Sequence, residues 1–166
     1  MPRDDDDGPL EMSLLDRLLD DDPANPRDAR KSRSQARQKL LEAIRRDLEA
    51  MLNTRGCSVR WNPALTQLAD SILNYGVAAI SSTVYSIEEN RRRLRDQIEA
   101  AIRRFEPRFL QGVTVDLIPD PADLDRTIRF RIEARLNVRP APEPLVFDSV
   151  LDPSTRGISV QAPRNV

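Results

Sequence analysis

Histidine is absent from this chain of 166 residues. With it go the usual general base, the usual zinc ligand, and both the Ser-His-Asp and Cys-His routes to nucleophilic catalysis. Cysteine occurs once, at Cys57, so there is neither a disulfide framework nor a cysteine cluster for a metal. Arg55 and Arg60 are the basic neighbours of Cys57 and no imidazole can activate it, so an inert thiol is expected. Aromatic residues make up 4% of the chain, with one tryptophan, Trp61, which leaves no obvious platform for a sugar. No apolar run approaches the roughly 18 residues of a membrane span. The acidic start, MPRDDDDGPL, lacks the apolar stretch of a signal peptide, so a cytoplasmic protein is expected. Lysine is scarce as well: Lys31 and Lys39 are the only two among 26 basic residues. Arginine suits bidentate carboxylate pairing at interfaces, although the codon preference of a GC-rich genome explains the skew equally well. The net charge of −1 gives no bulk attraction to nucleic acid or membrane.

What is present suffices for one modest core under a charged surface: 39% apolar and 32% charged residues. Residues 1–33 read as a mostly disordered arm, because Asp4 to Asp7, Asp20 to Asp22, Pro23 and Pro26 support no packing. Inside the arm lies an apolar island, Ser13 to Leu19, with Ser13 placed to cap two helical turns that are too short to persist alone in water. Leu14, Leu15 and Leu18 make it either a docking motif or a helix that folds back on its own domain, and the residues leave both readings open. Residues 34–166 form the domain. A helix is expected from Ser34 to Leu52, with Leu40, Leu41, Ile44, Leu48, Met51 and Leu52 in one stripe. A second, shorter helix is expected from Asn62 to about Gly76, turning Leu65, Leu68, Ile72 and Leu73 inward. A third opens on the capping box Ser86-x-x-Glu89 and closes at Phe105 before Pro107. It carries i,i+4 pairs Glu88–Arg92, Glu89–Arg93 and Glu99–Arg103.

The period then changes to two. Val113, Val115 and Leu117 alternate in a first strand. In the next, Ile128, Phe130, Ile132, Ala134, Leu136 and Val138 share one face, opposite Arg129, Arg131, Glu133, Arg135 and Asn137. A third strand is expected at Leu145 to Val150, with Pro140, Pro142 and Pro144 before it suggesting a sheet edge. A last short strand is expected at Gly157 to Val160. Three main helices followed by a small antiparallel sheet make the fold class α+β.

The candidate site is the tripeptide Glu106-Pro107-Arg108, set between Phe105 and Phe109 where helix passes to sheet. Its structural reading is a stiff turn whose two charges pair or hold backbone groups, within the domain or at a partner interface. Its enzymatic reading makes Glu106 a general acid partnered by Asp116 or Glu133, as in a glycosidase. The scarcity of aromatics argues against that reading. Arg129, Arg131 and Arg135 form a row that suits phosphate, but it is first the wet face of a half-buried strand.

Five segments occur in an order that resembles a known family: Ser13 to Leu18, Leu48 to Arg55, Ser71 to Gly76, Phe105 to Phe109, and the two-period strand Ile128 to Leu136. Together they resemble the phage baseplate wedge family often labelled "lysozyme-like" and, within it, the TssE-type wedge subunits of type VI secretion. Phe109 and Met51 stand where leucine is common, both apolar exchanges. The resemblance implies a structural, non-enzymatic part in the wedge beside TssF and TssG, with TssK nearby and no cofactor or metal. It implies strands like those of the sheath subunits TssB and TssC, helping to start sheath assembly by strand pairing. It also implies a cytoplasmic location at an inner-membrane-docked baseplate. The alternatives are a peptidoglycan-cleaving muramidase and an anti-adaptor-like regulatory binding protein of the same fold.

Overall fold

A computed structural model describes residues 10, 13–18, 32–56, 62, 64–68, 70–77, 88–110, 112–119, 127–152 and 154–165. The expectations for Cys57, Trp61, the Ser86 cap and most of the 1–33 arm lie outside these residues. Three α-helices are described, α1 (Leu14–Leu18), α2 (Arg33–Asn53) and α3 (Glu88–Phe105). The strands are β1 (Thr114–Ile118), β2 (Ile128–Leu136), β3 (Glu143–Asp152), β4 (Gly157–Val160) and β5 (Arg164–Asn165).

α2 begins where Ser32 and Gln35 cap each other: Gln35 N–H donates to Ser32 Oγ at 3.3 Å and Ser32 N–H to Gln35 Oε1 at 3.0 Å. It buries Leu40, Ala43, Ile44, Leu48, Met51 and Leu52. α3 buries Leu94, Ile98, Ala101 and Ile102, and its wet face carries the pairs Glu88–Arg92, Glu89–Arg93 and Glu99–Arg103. These side chains pack on the inward row of the sheet, where Phe130, Ile132 and Phe147 are fully buried. α2 lies against β4 and α3 against β1.

The helix expected between Asn62 and Gly76 does not form. Two 3-10 turns, Thr66–Leu68 and Ile72–Asn74, stand there, bury nothing, and leave Leu65, Ile72 and Leu73 exposed. Local side-chain bonds compete with the helical ladder: Asn62 Oδ1 accepts Ala64 N–H, and Ser71 Oγ donates to Leu68 C=O. A short helix that buries no face has nothing to offset its nucleation. The segment is closed by Gly76, at φ 101°, where a Cβ would lie 2.2 Å from Thr54 O. That close approach lets Val77 N–H reach Thr54 C=O and Gly56 N–H reach Val77 C=O.

The sheet is antiparallel in the order β1-β2-β3-β4, with β5 also on β3. The edge position expected for 145–150 is therefore wrong: β3 has β2 on one side and β4 with β5 on the other. Val160 faces Ser149, Gln161 N–H donates to Asp148 C=O, and Arg164 faces Val146. One residue more lies between 161 and 164 than between 146 and 148, so β4 and β5 are one edge strand broken by a bulge.

Ser149 sits in the inward row of β3 between Phe147 and Leu151, and its buried hydroxyl has no partner among the described residues. A buried hydroxyl that makes no hydrogen bond contributes only its desolvation cost. Ser149→Ala is therefore expected to leave stability unchanged or raise it by about 1 kcal/mol in urea unfolding. A clear loss means that the hydroxyl is bonded in solution.

Candidate interface at the helix–sheet corner

The last turn of α3 runs on to Glu106, whose N–H donates to Ile102 C=O at 2.9 Å. Pro107 has no N–H to continue the ladder, so the chain leaves the helix there. It is then caught by the end of β2. Leu110 N–H donates to Arg135 C=O at 2.8 Å, Asn137 N–H to Arg108 C=O at 2.9 Å, and Phe109 lies opposite Leu136. Phe105 and Phe109 anchor the two sides of the turn, Phe105 edge-on to Tyr75 at 5.3 Å and Phe109 tilted against Phe147 at 6.2 Å.

Within this frame Glu106 is 5% exposed. Arg108 grips it as a fork, Nε to Oε1 at 2.6 Å and Nη2 to Oε2 at 2.5 Å, while the Arg108 N–H adds a third bond to Oε1 at 3.2 Å. Nη2 also reaches Asp47 Oδ2 on α2 at 2.7 Å. Arg108 thus joins the end of α3 to the middle of α2. Burial works against its charge, but the bonds and charges of Glu106 and Asp47 outweigh that and hold the guanidinium more firmly protonated than usual. Its buried Nη1 has no partner among the described residues. Burial, and then the charges of Asp47 and Glu106, push the Tyr75 hydroxyl up against the opposing effect of Arg108. These groups line a cleft of about 470 Å³, with apolar Met51, Tyr75, Phe105 and Pro107 beside charged Asp47, Glu106 and Arg108.

Ser13 also lines the cleft, which brings the arm to the corner. Ser13 Oγ accepts Asp16 N–H at 3.2 Å and donates to Asp16 Oδ2 at 2.6 Å, closing the turn that starts α1. Asp16 Oδ1 takes Arg46 Nη2 at 2.6 Å, and Arg46 in turn touches Asp47 at 3.3 Å. The Asp16 side chain is 4% exposed, and Leu10 packs on the core. The leucines do the reverse: Leu14 is 77%, Leu15 62% and Leu18 81% exposed. The island folds back on the domain by its polar side and holds its apolar side in solvent.

Sequence reasoning selected Glu106, Pro107, Arg108, Leu14, Leu15 and Leu18 and missed Asp47, Arg46 and Tyr75. Asp47 adjoins the apolar stripe of α2, but nothing in its neighbourhood points to a cation 61 residues away. Asp116 and Glu133, the carboxylates considered as catalytic partners, lie on the exposed face of β1 and β2, whereas both oxygens of Glu106 are occupied by Arg108. Arg131 of the basic row is bound by Asp148, which also takes Arg164. Among the described residues no group of His, Cys, Asp and Glu could hold a metal.

Two outcomes follow from this geometry. Arg108→Ala leaves the buried Glu106 carboxylate unpaired and is expected to cost about 3–5 kcal/mol, whereas Glu106→Ala leaves the half-buried guanidinium with Asp47 and should cost less. The double variant should cost clearly less than the sum in a double-mutant cycle by urea unfolding. The second concerns pH. Burial disfavours the Asp16 carboxylate, but the bonds from Ser13 and Arg46 and the charges of Arg46 and Arg108 outweigh it and hold Asp16 below the usual carboxylate range. A depressed folded-state pKa stabilises docking above the unfolded value near 3.8, and that contribution is lost as pH falls through the folded value. The backbone resonances of 13–18 should therefore hold steady from neutral pH to about 4 and move to random-coil positions below it. Arg46→Ala should give the detached spectrum already at neutral pH.

Neither the curated proteins nor the solved structures gave a match to the chain. The family profile described as baseplate wedge protein gp25 matches residues 38–141, more than half of the chain. The match takes in most of α2 and all of α3, the corner, β1 and β2. The chain belongs to the family of baseplate wedge protein gp25, with a structural part in a phage-tail-like baseplate.

Proposed function

We propose that this chain is the TssE-type wedge subunit of a contractile type VI secretion baseplate, a structural component and not an enzyme. In this reading it joins the wedge proteins TssF and TssG, with TssK nearby, through the corner and the leucines of α1. It also helps to start assembly of the TssB/TssC sheath by pairing a strand at the margin of its sheet. Its place is the cytoplasmic face of an inner-membrane-docked baseplate. No helix among the described residues is long and apolar enough to cross a membrane.

One observation carries the docking part. Three large apolar side chains are held in solvent by an ion pair between the covered Asp16 carboxylate and the half-exposed Arg46, beside a cleft with mixed apolar and charged lining. Exposed apolar groups arranged by a fixed polar anchor mark an interaction surface. The corner supports the same reading: Arg108 and Pro107 fix the angle between α3 and the sheet, so a partner meets a preformed surface.

The triple variant Leu14→Ser, Leu15→Ser, Leu18→Ser should keep the melting temperature of the parent within a few degrees. Its co-purification with TssF and TssG should fall at least about tenfold, the loss expected when a few anchors carry the binding. Undiminished co-purification removes α1 from the interface. In the same preparations a peptidoglycan turbidity assay should show no hydrolysis. Hydrolysis by the parent that Glu106→Gln abolishes replaces the structural reading with a muramidase.

A further inference from the structure

The sheet margins are unequal. Along β4 the outward groups of Ile158 and the outward C=O of Val160 are already taken by α2. The Asn53 amide bonds both the N–H and the C=O of Ile158, at 2.8 and 2.7 Å, and Arg45 reaches Val160 C=O at 3.3 Å. Beyond Val160 the bulge, Pro163 and the cation of Arg164 blunt the same margin.

Among the described residues no strand pairs the outer margin of β1. The bonds Leu110 N–H to Arg135 and Asn137 N–H to Arg108 show that odd-numbered residues of β2 turn their backbone groups toward β1. Their partners Thr114, Asp116 and Ile118 thus face β2, and Val115 and Leu117 turn N–H and C=O outward. Among the described residues nothing bonds those four groups. Val113 C=O, just before the strand, is taken by Arg103 of α3 at 2.8 Å.

The exposed face of the sheet adds a rule about charge. Asp116 of β1 lies opposite Arg131 of β2, and Arg131 opposite Asp148 of β3. Asp148 binds Arg131 at 3.0 Å and also takes Arg164 from β5. From the β1 margin inward the row alternates minus, plus, minus, plus, and Asp116 is its outer end. Arg95 of α3 feels the charge of Asp116 but gives its hydrogen bonds to Asp96.

We propose that β1 receives an antiparallel strand from a partner protein, and that Asp116 selects a strand with Arg or Lys at the facing position and apolar residues on either side. In such a pair the bonds form at Val115 and Leu117, which makes position 116 the non-hydrogen-bonded site, where facing Cα atoms are closest at about 4.5 Å. Opposite charges there extend the row, and like charges repel. The flanking residues face Val115 and Leu117 and lengthen the inward apolar row. The inference rests on the strand-pairing half of the function proposed above and adds which margin is used and what it accepts.

The test uses the full chain and two blocked peptides at millimolar concentration, Ser-Thr-Val-Arg-Val-Thr-Ser and its counterpart with Glu in place of Arg. The Arg peptide should slow hydrogen exchange at the amides of Val115 and Leu117 and bind about fivefold more tightly than the Glu peptide. Asp116→Asn should erase that preference with the melting temperature of the parent, and Asp116→Lys, which sets a like charge opposite Arg131 and so melts slightly lower, should invert it. Protection of the two amides with equal affinity for both peptides overturns charge selection while strand pairing at β1 stands. No protection by either peptide, or protection at β4 instead, overturns the choice of margin and the strand-pairing reading of β1 together.

Discussion

A guanidinium held between two carboxylates sets the geometry of this molecule. Arg108 forks onto Glu106 and reaches Asp47, so one side chain ties the end of α3, the turn into the sheet and the middle of α2. Ions at this depth cost several kcal/mol of desolvation, and only directed bonds offset that cost. Good geometry is therefore obligatory here, and the backbone supplies it: Pro107 ends the helix, and β2 catches residues 108 and 110. The same charges continue outward as Asp47–Arg46–Asp16, so α1 is fixed by the far end of the network that fixes the corner. Loosening Arg108 would disturb three elements at once.

Much of the frame was legible because burial leaves a period. The stripes of α2 and α3 and the alternation of β2 follow from faces that must be covered, and the observed bounds differ from the expected ones by a residue or two. Asn62 to Gly76 failed for the converse reason. Leu65, Leu68, Ile72 and Leu73 have helical spacing, but spacing does not say whether another element comes to cover them. The prolines before β3 were read too broadly. Pro144 turns its backbone to the side where β5 covers β3 only from Leu145 onward, so it marks an open margin for the first residues of β3 alone. Nothing in that stretch tells that residues 157–165 return to cover the remainder. At the corner, Glu106 and Arg108 are neighbours in sequence and were legible, whereas Asp47 enters only through the tertiary fold.

The excess of arginine over lysine gains a structural use whatever its genomic origin. Arg33 reaches Arg139 C=O, Arg45 reaches Val160 C=O and Arg103 reaches Val113 C=O, each from a helix to backbone at or near the sheet margin. Arg37 forks onto Glu143 at the start of β3. A guanidinium offers five donors in a rigid plane and keeps its charge when partly covered, where an ammonium offers a hydrated point. The helices are fastened to the sheet at its rim by such contacts as well as by the core.

The orientation of α1 bears most directly on what this surface is for. Five helical residues do not hold together in water, so α1 exists because Ser13 caps it and Asp16 is tied to Arg46. An island that served folding alone would turn Leu14, Leu15 and Leu18 inward, where each would gain roughly 1.5–3 kcal/mol from burial. The chain instead buries the aspartate, whose desolvation must be offset by Arg46, and leaves the leucines in solvent. Leaving the leucines in solvent forgoes stability in the isolated chain, and it gains meaning once a second surface covers them. α1 also lies outside residues 38–141, the stretch that carries the family assignment. The case for a docking helix therefore stands on its own geometry, independently of the case for the baseplate.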